Sequence, residues 1–407
     1  MRRRFDLAGL SVLLMLSLFG VFVSAVVCFA EDAATIEDAL ANAKINGETG
    51  SYFEFTDADA VDSDFGWSTG YLTLKYETQS WKRLKLGTRF FAHGQLYSDH
   101  DNATTDPFDA DIETPYTLPE LYLNYAFAES SSATVGRWDH RKISHIDDAQ
   151  SEGAYIAVNE ITDLELIAGV MRRFAEIDYD DGEDFGCTNK TQDLDSKTTY
   201  STGSESYLFF IESRYNLLSD ALTLNPYMMS QDGYAAVYGL DTKFKREWEG
   251  IGVAYGAELD YYHVSADIPA SSDSDNFAVF PFVSTGPLEF TLGYASFDGG
   301  DSLNKPMWLC DYFTLVDQQK EYANAGSDKY FAKVKLAFDR FWTHFAYGDN
   351  NYDFISGKGD RSQEYELQFG YKVTEDLDLN LRLFDVQYSN AANKDYQKVE
   401  SLVRFKF

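Results

Sequence analysis

Long hydrophobic runs are missing from nearly all of this chain. Beyond residue 27 no stretch approaches the roughly 18 consecutive apolar residues that a membrane-crossing helix needs, and the mean hydropathy is -0.34. Cysteine is scarce, at 3 residues, with no Cys-x-x-Cys-His or Cys/His zinc spacing. Haem attachment and a zinc site are therefore not indicated, and no cofactor or metal is expected. Basic residues are few: 34 Lys and Arg stand against 66 Asp and Glu, for a formal net charge of -32. Nucleic-acid binding wants the opposite balance. Histidine occurs 6 times, and none of the six stands in a recognisable nucleophile motif, so an enzyme is not the reading the sequence favours.

What the chain has in quantity is aromatic residues, at 16%, and alternation. Its last stretch, Tyr396 to Phe407, places Val399, Ser401, Val403, Phe405 and Phe407 on one face of an extended strand. Glu400, Leu402, Arg404 and Lys406 fall on the other, the pattern of a half-buried strand. A soluble domain gains little by closing on such a strand, because free chain ends fray. A transmembrane barrel gains much, since its last strand must pair with its first. This ending resembles the C-terminal recognition signal of outer-membrane β-barrel proteins. The resemblance marks Phe405 and Phe407 as an assembly signal and implies the barrel-assembly machinery as a partner in biogenesis.

The same two-residue period recurs along the chain. Leu72, Leu74 and Tyr76 oppose Thr73, Lys75 and Glu77; Leu121, Leu123 and Tyr125 oppose Glu120, Tyr122 and Asn124. Tyr330 to Phe338, Tyr365 to Tyr371 and Leu377 to Leu383 repeat the rule, with full charges opposite leucines and aromatics. Strands are also expected over 83–96 and 251–261. Short connectors such as Glu129 to Ser132 and Thr285 to Pro287 alternate with long ones near 98–116, 139–151, 176–204, 263–275, 298–328 and 349–362. Short periplasmic turns against long extracellular loops is the barrel arrangement. The fold class expected is all-β: a transmembrane antiparallel β-barrel of about 18 strands, within 16–18.

The N-terminus fits the compartment. Arg2, Arg3 and Arg4 precede an apolar run from Leu7 to Val27, with Cys28 and Ala30 before Glu31 and Asp32. This is the layout of a secretory signal peptide cut after Ala30; a retained anchor is the other reading. The domains expected are thus residues 1–30 as the cleaved signal, 31–43 as a short periplasmic helix or flexible lead-in, and 44–407 as one barrel in the bacterial outer membrane.

A barrel of about 16–18 strands is wide enough for an aqueous channel. The expected function is passive diffusion of small polar solutes. Arg89, Arg137, Arg214, Lys333, Lys335, Arg382 and Arg404 are assigned to the pore-lining face. They either form a track for anionic or carboxylate-bearing solutes or pair with inward Glu120, Glu212, Glu258, Asp260, Glu364 and Glu366 to knit the wall. The strand Leu121-Tyr-Leu-Asn-Tyr125, followed through a short turn by Val135-Gly-Arg137, resembles the OprD-type porins. That resemblance implies an outer-membrane channel whose next loop folds inward and narrows the pore. Arg137 would then be a wall residue near the constriction, with His140, Arg141, Lys142 and His145 on the constriction loop. The two histidines either titrate near neutrality and modulate conductance or are simply exposed.

Cys187 and Cys310, each in a long polar loop, are a candidate disulfide in an oxidising compartment. Acidic runs such as Asp57 to Asp64 and Asp178 to Asp184 read as mutually repelling loops, or as divalent-cation ligands. The partners implied are outer-membrane lipid and small solutes, with a homo-trimer as porins often form. The alternative to a channel is an adhesin or structural surface barrel acting through the 176–204 or 298–328 loops.

Overall fold

The computed structural model describes residues 32–58, 65–98, 116–139, 145, 150–175, 192–193, 207–248, 250–267, 271–298, 326–353, 359–389 and 395–407. The leader read at 1–30 lies outside them. The chain enters through a short helix α1, Ile36–Ala41, capped by Thr35. The Thr35 hydroxyl accepts from the Asp38 amide, and the Asp38 carboxylate accepts from the Thr35 amide, a reciprocal capping box. Part of the expected lead-in is therefore helical. It is tied to the barrel where the Tyr76 hydroxyl donates to the Leu40 carbonyl.

Eighteen strands follow: β1 Lys44–Ala58, β2 Phe65–Glu77, β3 Leu84–Ser98, β4 Tyr116–Ala126, β5 Ser132–Asp139, β6 Gln150–Ile161, β7 Leu164–Ala175, β8 Leu208–Leu217 and β9 Leu222–Gln231. The second half comprises β10 Ala235–Trp248, β11 Val253–Ala266, β12 Ser274–Thr285, β13 Leu288–Phe297, β14 Asp328–Ala337, β15 Phe341–Asp353, β16 Gly359–Lys372, β17 Leu377–Tyr388 and β18 Tyr396–Lys406. Gln192–Asp193 adds a two-residue ladder to β7. Each strand pairs antiparallel with its sequence neighbours, and β18 returns to pair with β1 from Glu48↔Lys406 to Ala58↔Tyr396. No edge is left open, so the barrel is closed.

Turns at one end are short, including Thr162 and Asp163, Gly286 and Pro287, and Phe338 to Arg340. The longer connections occupy the other end, but the Asp232-Gly233-Tyr234 hairpin is short there, and the long connections expected at 263–275 and 349–362 shrink to 267–273 and 354–358 because the flanking strands run further than the alternation suggested. By barrel convention the short-turn end is periplasmic. β3 begins at Leu84 and β11 at Val253, each a residue or two later than the alternation suggested. Arg83 has φ 67, and Gly250 and Gly252 have φ 92 and 63; left-handed backbone belongs to turns, not strands.

The outward face is apolar around the barrel. Leu121, Val135, Phe209, Leu259, Leu292, Phe345 and Val403 stand exposed on it. At the periplasmic rim Ile45, Trp248 and Phe407 continue this surface. At the far rim outward tyrosines donate to carboxylates, Tyr261 to Asp275 at 2.5 Å and Tyr294 to Asp328 at 2.7 Å. An apolar band between aromatic girdles is the surface a bilayer core covers. Among the described residues no helix is long and apolar enough to cross a membrane; the strands are the only elements with that reach.

Closure depends on one close approach. Gly47 exchanges both backbone hydrogen bonds with Phe407, each at 2.9 Å. A Cβ at residue 47 would stand 2.5 Å from Phe407 Cζ and 2.9 Å from the Thr73 carbonyl oxygen. The terminal ring therefore lies on a position only glycine leaves open. We expect Gly47→Val to weaken the seam by about 1–3 kcal/mol, the usual cost of overpacking. A lower urea midpoint for loss of the heat-modifiable gel species would show it; an unchanged midpoint would refute the role given to Gly47.

Candidate functional site

Because side chains alternate across a strand, the register fixes which residues face the lumen. Arg89, Arg214, Lys333, Lys335, Arg382 and Arg404 all do, alongside Glu120, Glu212, Glu258, Asp260, Glu364 and Glu366. Arg137 does not. It shares parity with Val135 and lies opposite Leu121 and Glu152, on the outward face with those exposed apolar residues. Its guanidinium contacts Glu152 Oε2 at 3.1 Å and donates to the Leu118 carbonyl. The inward neighbour is Trp138, buried and packed on Tyr155. The pore-wall role expected of Arg137 is thus corrected: at the end of a strand the outer wall leaves the hydrocarbon layer, and an ion pair is tolerated there. His140, Arg141, Lys142, Cys187 and Cys310 lie outside the described residues.

Many inward cations are ion-paired, among them Arg89, Arg214, Arg382 and Arg404. Arg89 Nε meets Glu120 Oε1 at 2.9 Å, and Lys75 reaches the same carboxylate at 3.2 Å. Arg214 pairs with Glu165 at 3.6 Å, Arg382 with Glu400 at 3.4 Å, and Arg404 with Asp378 at 3.2 Å. Lys398 sits between Glu54 and Glu400, 2.9 Å from each, with both carboxylates nearly buried. These ion pairs tie charges of the inner wall to one another.

Lys333 and Lys335 of β14 join Lys243 and Lys245 of β10 around a cavity of about 550 Å³ on the periplasmic side of the lumen. Glu258, Glu289, His344 and Gln368 complete its polar lining, and Phe280, Phe282 and Trp342 its aromatic lining. Lys243 is paired with Glu258. Among the described residues neither Lys245 nor Lys335 has a carboxylate in ion-pair range. Lys243 and Lys245 were missed in the sequence, although Tyr238, Leu240 and Phe244 mark the outward parity that assigns them inward.

Toward the extracellular end the inner wall from β7 to β13 turns apolar, with Met171, Leu208, Met229, Val237, Val264 and Phe297 buried on it. Between the two levels lie Glu212, Asp241 and Asp260. His145, from the β5–β6 connection, is fully buried against Glu212 and Asp241. The connection therefore enters the lumen at this residue.

Ser68 deserves a placement because Gly66-Trp-Ser-Thr-Gly70 matches the G-x-S-x-G string. It lies within β2, opposite Phe53 on the outward face. A nucleophile elbow needs a strand-to-helix turn, and no such turn exists there.

The fold is shared with several solved structures. Pseudomonas aeruginosa OpdK with vanillate matches at a TM-score of 0.74 with 15% identity, covering 90% of this chain and 99% of that one. Pseudomonas aeruginosa OpdQ matches at 0.72 with 14% identity, covering 90% and 99%. Acinetobacter baumannii OccAB4 matches at 0.69 with 14% identity, covering 89% and 98%. No protein-family model matches the chain, and no curated protein sequence matches it. At these identities the likeness is one of fold, and it bears out the barrel implied by the OprD-type resemblance.

The Lys398 bridge gives a direct test of wall-knitting. Removing one partner of a buried ion pair costs about 3–5 kcal/mol, because the other charge is stranded. Lys398→Met should lower unfolding stability in urea by about that amount, since it leaves Glu54 without its cation and Glu400 with Arg382 alone. The triple variant Lys398→Met, Glu54→Gln, Glu400→Gln should recover most of the loss. A single variant as stable as wild type would remove the bridge from the account.

Proposed function

We propose that this chain is an outer-membrane channel for passive diffusion of small polar solutes, with a preference for anionic, carboxylate-bearing ones. The observation that carries the reading is a closed 18-stranded barrel whose inner face holds a lysine-lined cavity. A barrel of this strand number encloses a water-filled lumen, and its selectivity follows from the charges lining it.

Lys243, Lys245, Lys333 and Lys335 set the sign. Ammonium groups around one cavity attract a carboxylate as point charges and release it readily, because none offers the rigid bidentate fork of an arginine. Lys245 and Lys335 have no carboxylate in ion-pair range among the described residues, so their charge is not spent on wall-knitting. The aromatic rings of Phe280, Phe282 and Trp342 on the same cavity suit a solute with an apolar body. OpdK, of like fold, was solved with vanillate, an aromatic carboxylate.

Reconstituted in a planar bilayer under a KCl gradient, the refolded protein should give steady single-channel steps with a reversal potential of anion preference. Lys245→Glu with Lys335→Glu should shift that potential toward cations while keeping the steps. A cation-preferring wild type would leave a channel but sink its anion selectivity. A folded barrel without steps would remove the channel and favour a surface-binding role.

A further inference from the structure

His145 sits at a point where three consecutive wall strands converge. Its Nδ1 lies 2.8 Å from Glu212 Oε2 of β8, and its Nε2 is hydrogen-bonded to Asp241 Oδ2 of β10. Between them the ring stacks on Tyr227 of β9, with centroids 3.5 Å apart and planes at 19°. Tyr227 is itself held flat over Gly239, where a Cβ would stand 2.1 Å from its Cζ. A seat has thus been shaped for this ring.

A neutral imidazole has one N–H and one lone pair, whereas the imidazolium donates from both nitrogens. A carboxylate at each nitrogen therefore calls for the charged form. Among the described residues, Glu212 from β8, Tyr227 from β9 and Asp241 from β10 touch the ring and Asp260 of β11 acts on it, with Lys243 of β10 and Glu258 and Tyr262 of β11 beyond them, beside Asp260 and Tyr227. Carboxylates outnumber cations among them.

We infer that His145 is a positioning residue of the channel: as an imidazolium bridging Glu212 and Asp241, it pins the β5–β6 connection to the inner wall and fixes the bore and charge at that level. The inference rests on the channel reading. It goes beyond it by naming the contact that holds the constriction and the condition that releases it.

The titration has a definite sign. Burial disfavours the charged ring, but the hydrogen bonds to Asp241 and Glu212 outweigh it and raise His145 to about 9. A group raised above its unfolded value of about 6.5 contributes stability that is full below that value. The contribution is lost as pH rises through about 9. Deprotonation then leaves two carboxylates in one seat, and the lumen becomes more negative at the constriction.

The test compares the full-length refolded protein with His145→Gln and His145→Lys in planar bilayers between pH 7 and pH 10. Wild type should shift its reversal potential toward cations, with noisier open steps, as pH passes about 9. His145→Gln should already behave at pH 7 as wild type does at pH 10, without a further step. His145→Lys should keep the neutral-pH behaviour across the range in which wild type changes. A His145→Gln channel with wild-type selectivity and an intact pH step would overturn the inference. Nitrogen-15 histidine spectra of the wild type in detergent supply an independent reading that needs no variant to fold. Both ring nitrogens of His145 protonated at pH 7 supports the latch, and a neutral ring at pH 7 refutes it. Failure of the folded wild type to conduct at any pH would instead fall on the channel reading, with the spectra still deciding the latch.

Discussion

A hydrocarbon layer offers no water to an unpaired amide, so a sheet that crosses it must have no edge. That constraint governs this molecule. The pairing of β1 with β18 removes the last two free edges, and Gly47 and Phe407 complete the ladder at its periplasmic end. Once the sheet is closed, every residue faces either the surroundings or the lumen, and strict alternation follows from the pleat. A slip of one residue at the seam would turn Val403 and Phe405 into the lumen and Glu400 and Arg404 out of it. Phe407 therefore takes part in the seam through its backbone and its ring. It fixes the register on which all other assignments rest.

Closure also creates a problem that the inner face must solve. Charges sent inward meet one another at short range, partly shielded from water, where an unpaired ion is costly. Most inward charges here are consumed in meeting this cost. Glu120 is shared by Lys75 and Arg89, and Lys398 serves both Glu54 and Glu400. Such pairs add rigidity to the wall and subtract little net charge from the lumen. The charges that remain to act on a solute are those left over, which makes Lys245 and Lys335 more informative than the better-connected arginines.

The two-residue period made most strands and the outer face legible, because burial and lipid exposure both follow parity. β14, β16, β17 and β18 could be read residue by residue on that basis. Arg137 shows where the reading went astray: its charge suggested the lumen, while its parity with Val135 had already placed it outside. Parity was the stronger signal, since an outward ion pair is tolerated near a strand end and a broken pleat is not. Lys243 and Lys245 were open to the same rule and lacked only its application to β10. The seat of His145 was beyond any such rule. Its partners Glu212 and Asp241 lie 67 and 96 residues away, and no local period connects a loop residue to the wall it touches.

Whole-chain charge and local field point in opposite directions here. A net charge of -32 would suggest a molecule that repels anions. Yet inside the barrel the field near a wall is set by the nearest unneutralised groups, because charges farther away than about 8–10 Å are screened by salt. Acidic runs such as Asp59 to Asp64 and Asp178 to Asp184 fall between the strands, while the lysines of β10 and β14 share one cavity. Ion-paired acids between these regions cancel locally. Acidity at the connections and basicity in the periplasmic part of the lumen are therefore compatible. The net charge describes how the protein meets its surroundings, and the register describes what a solute meets within.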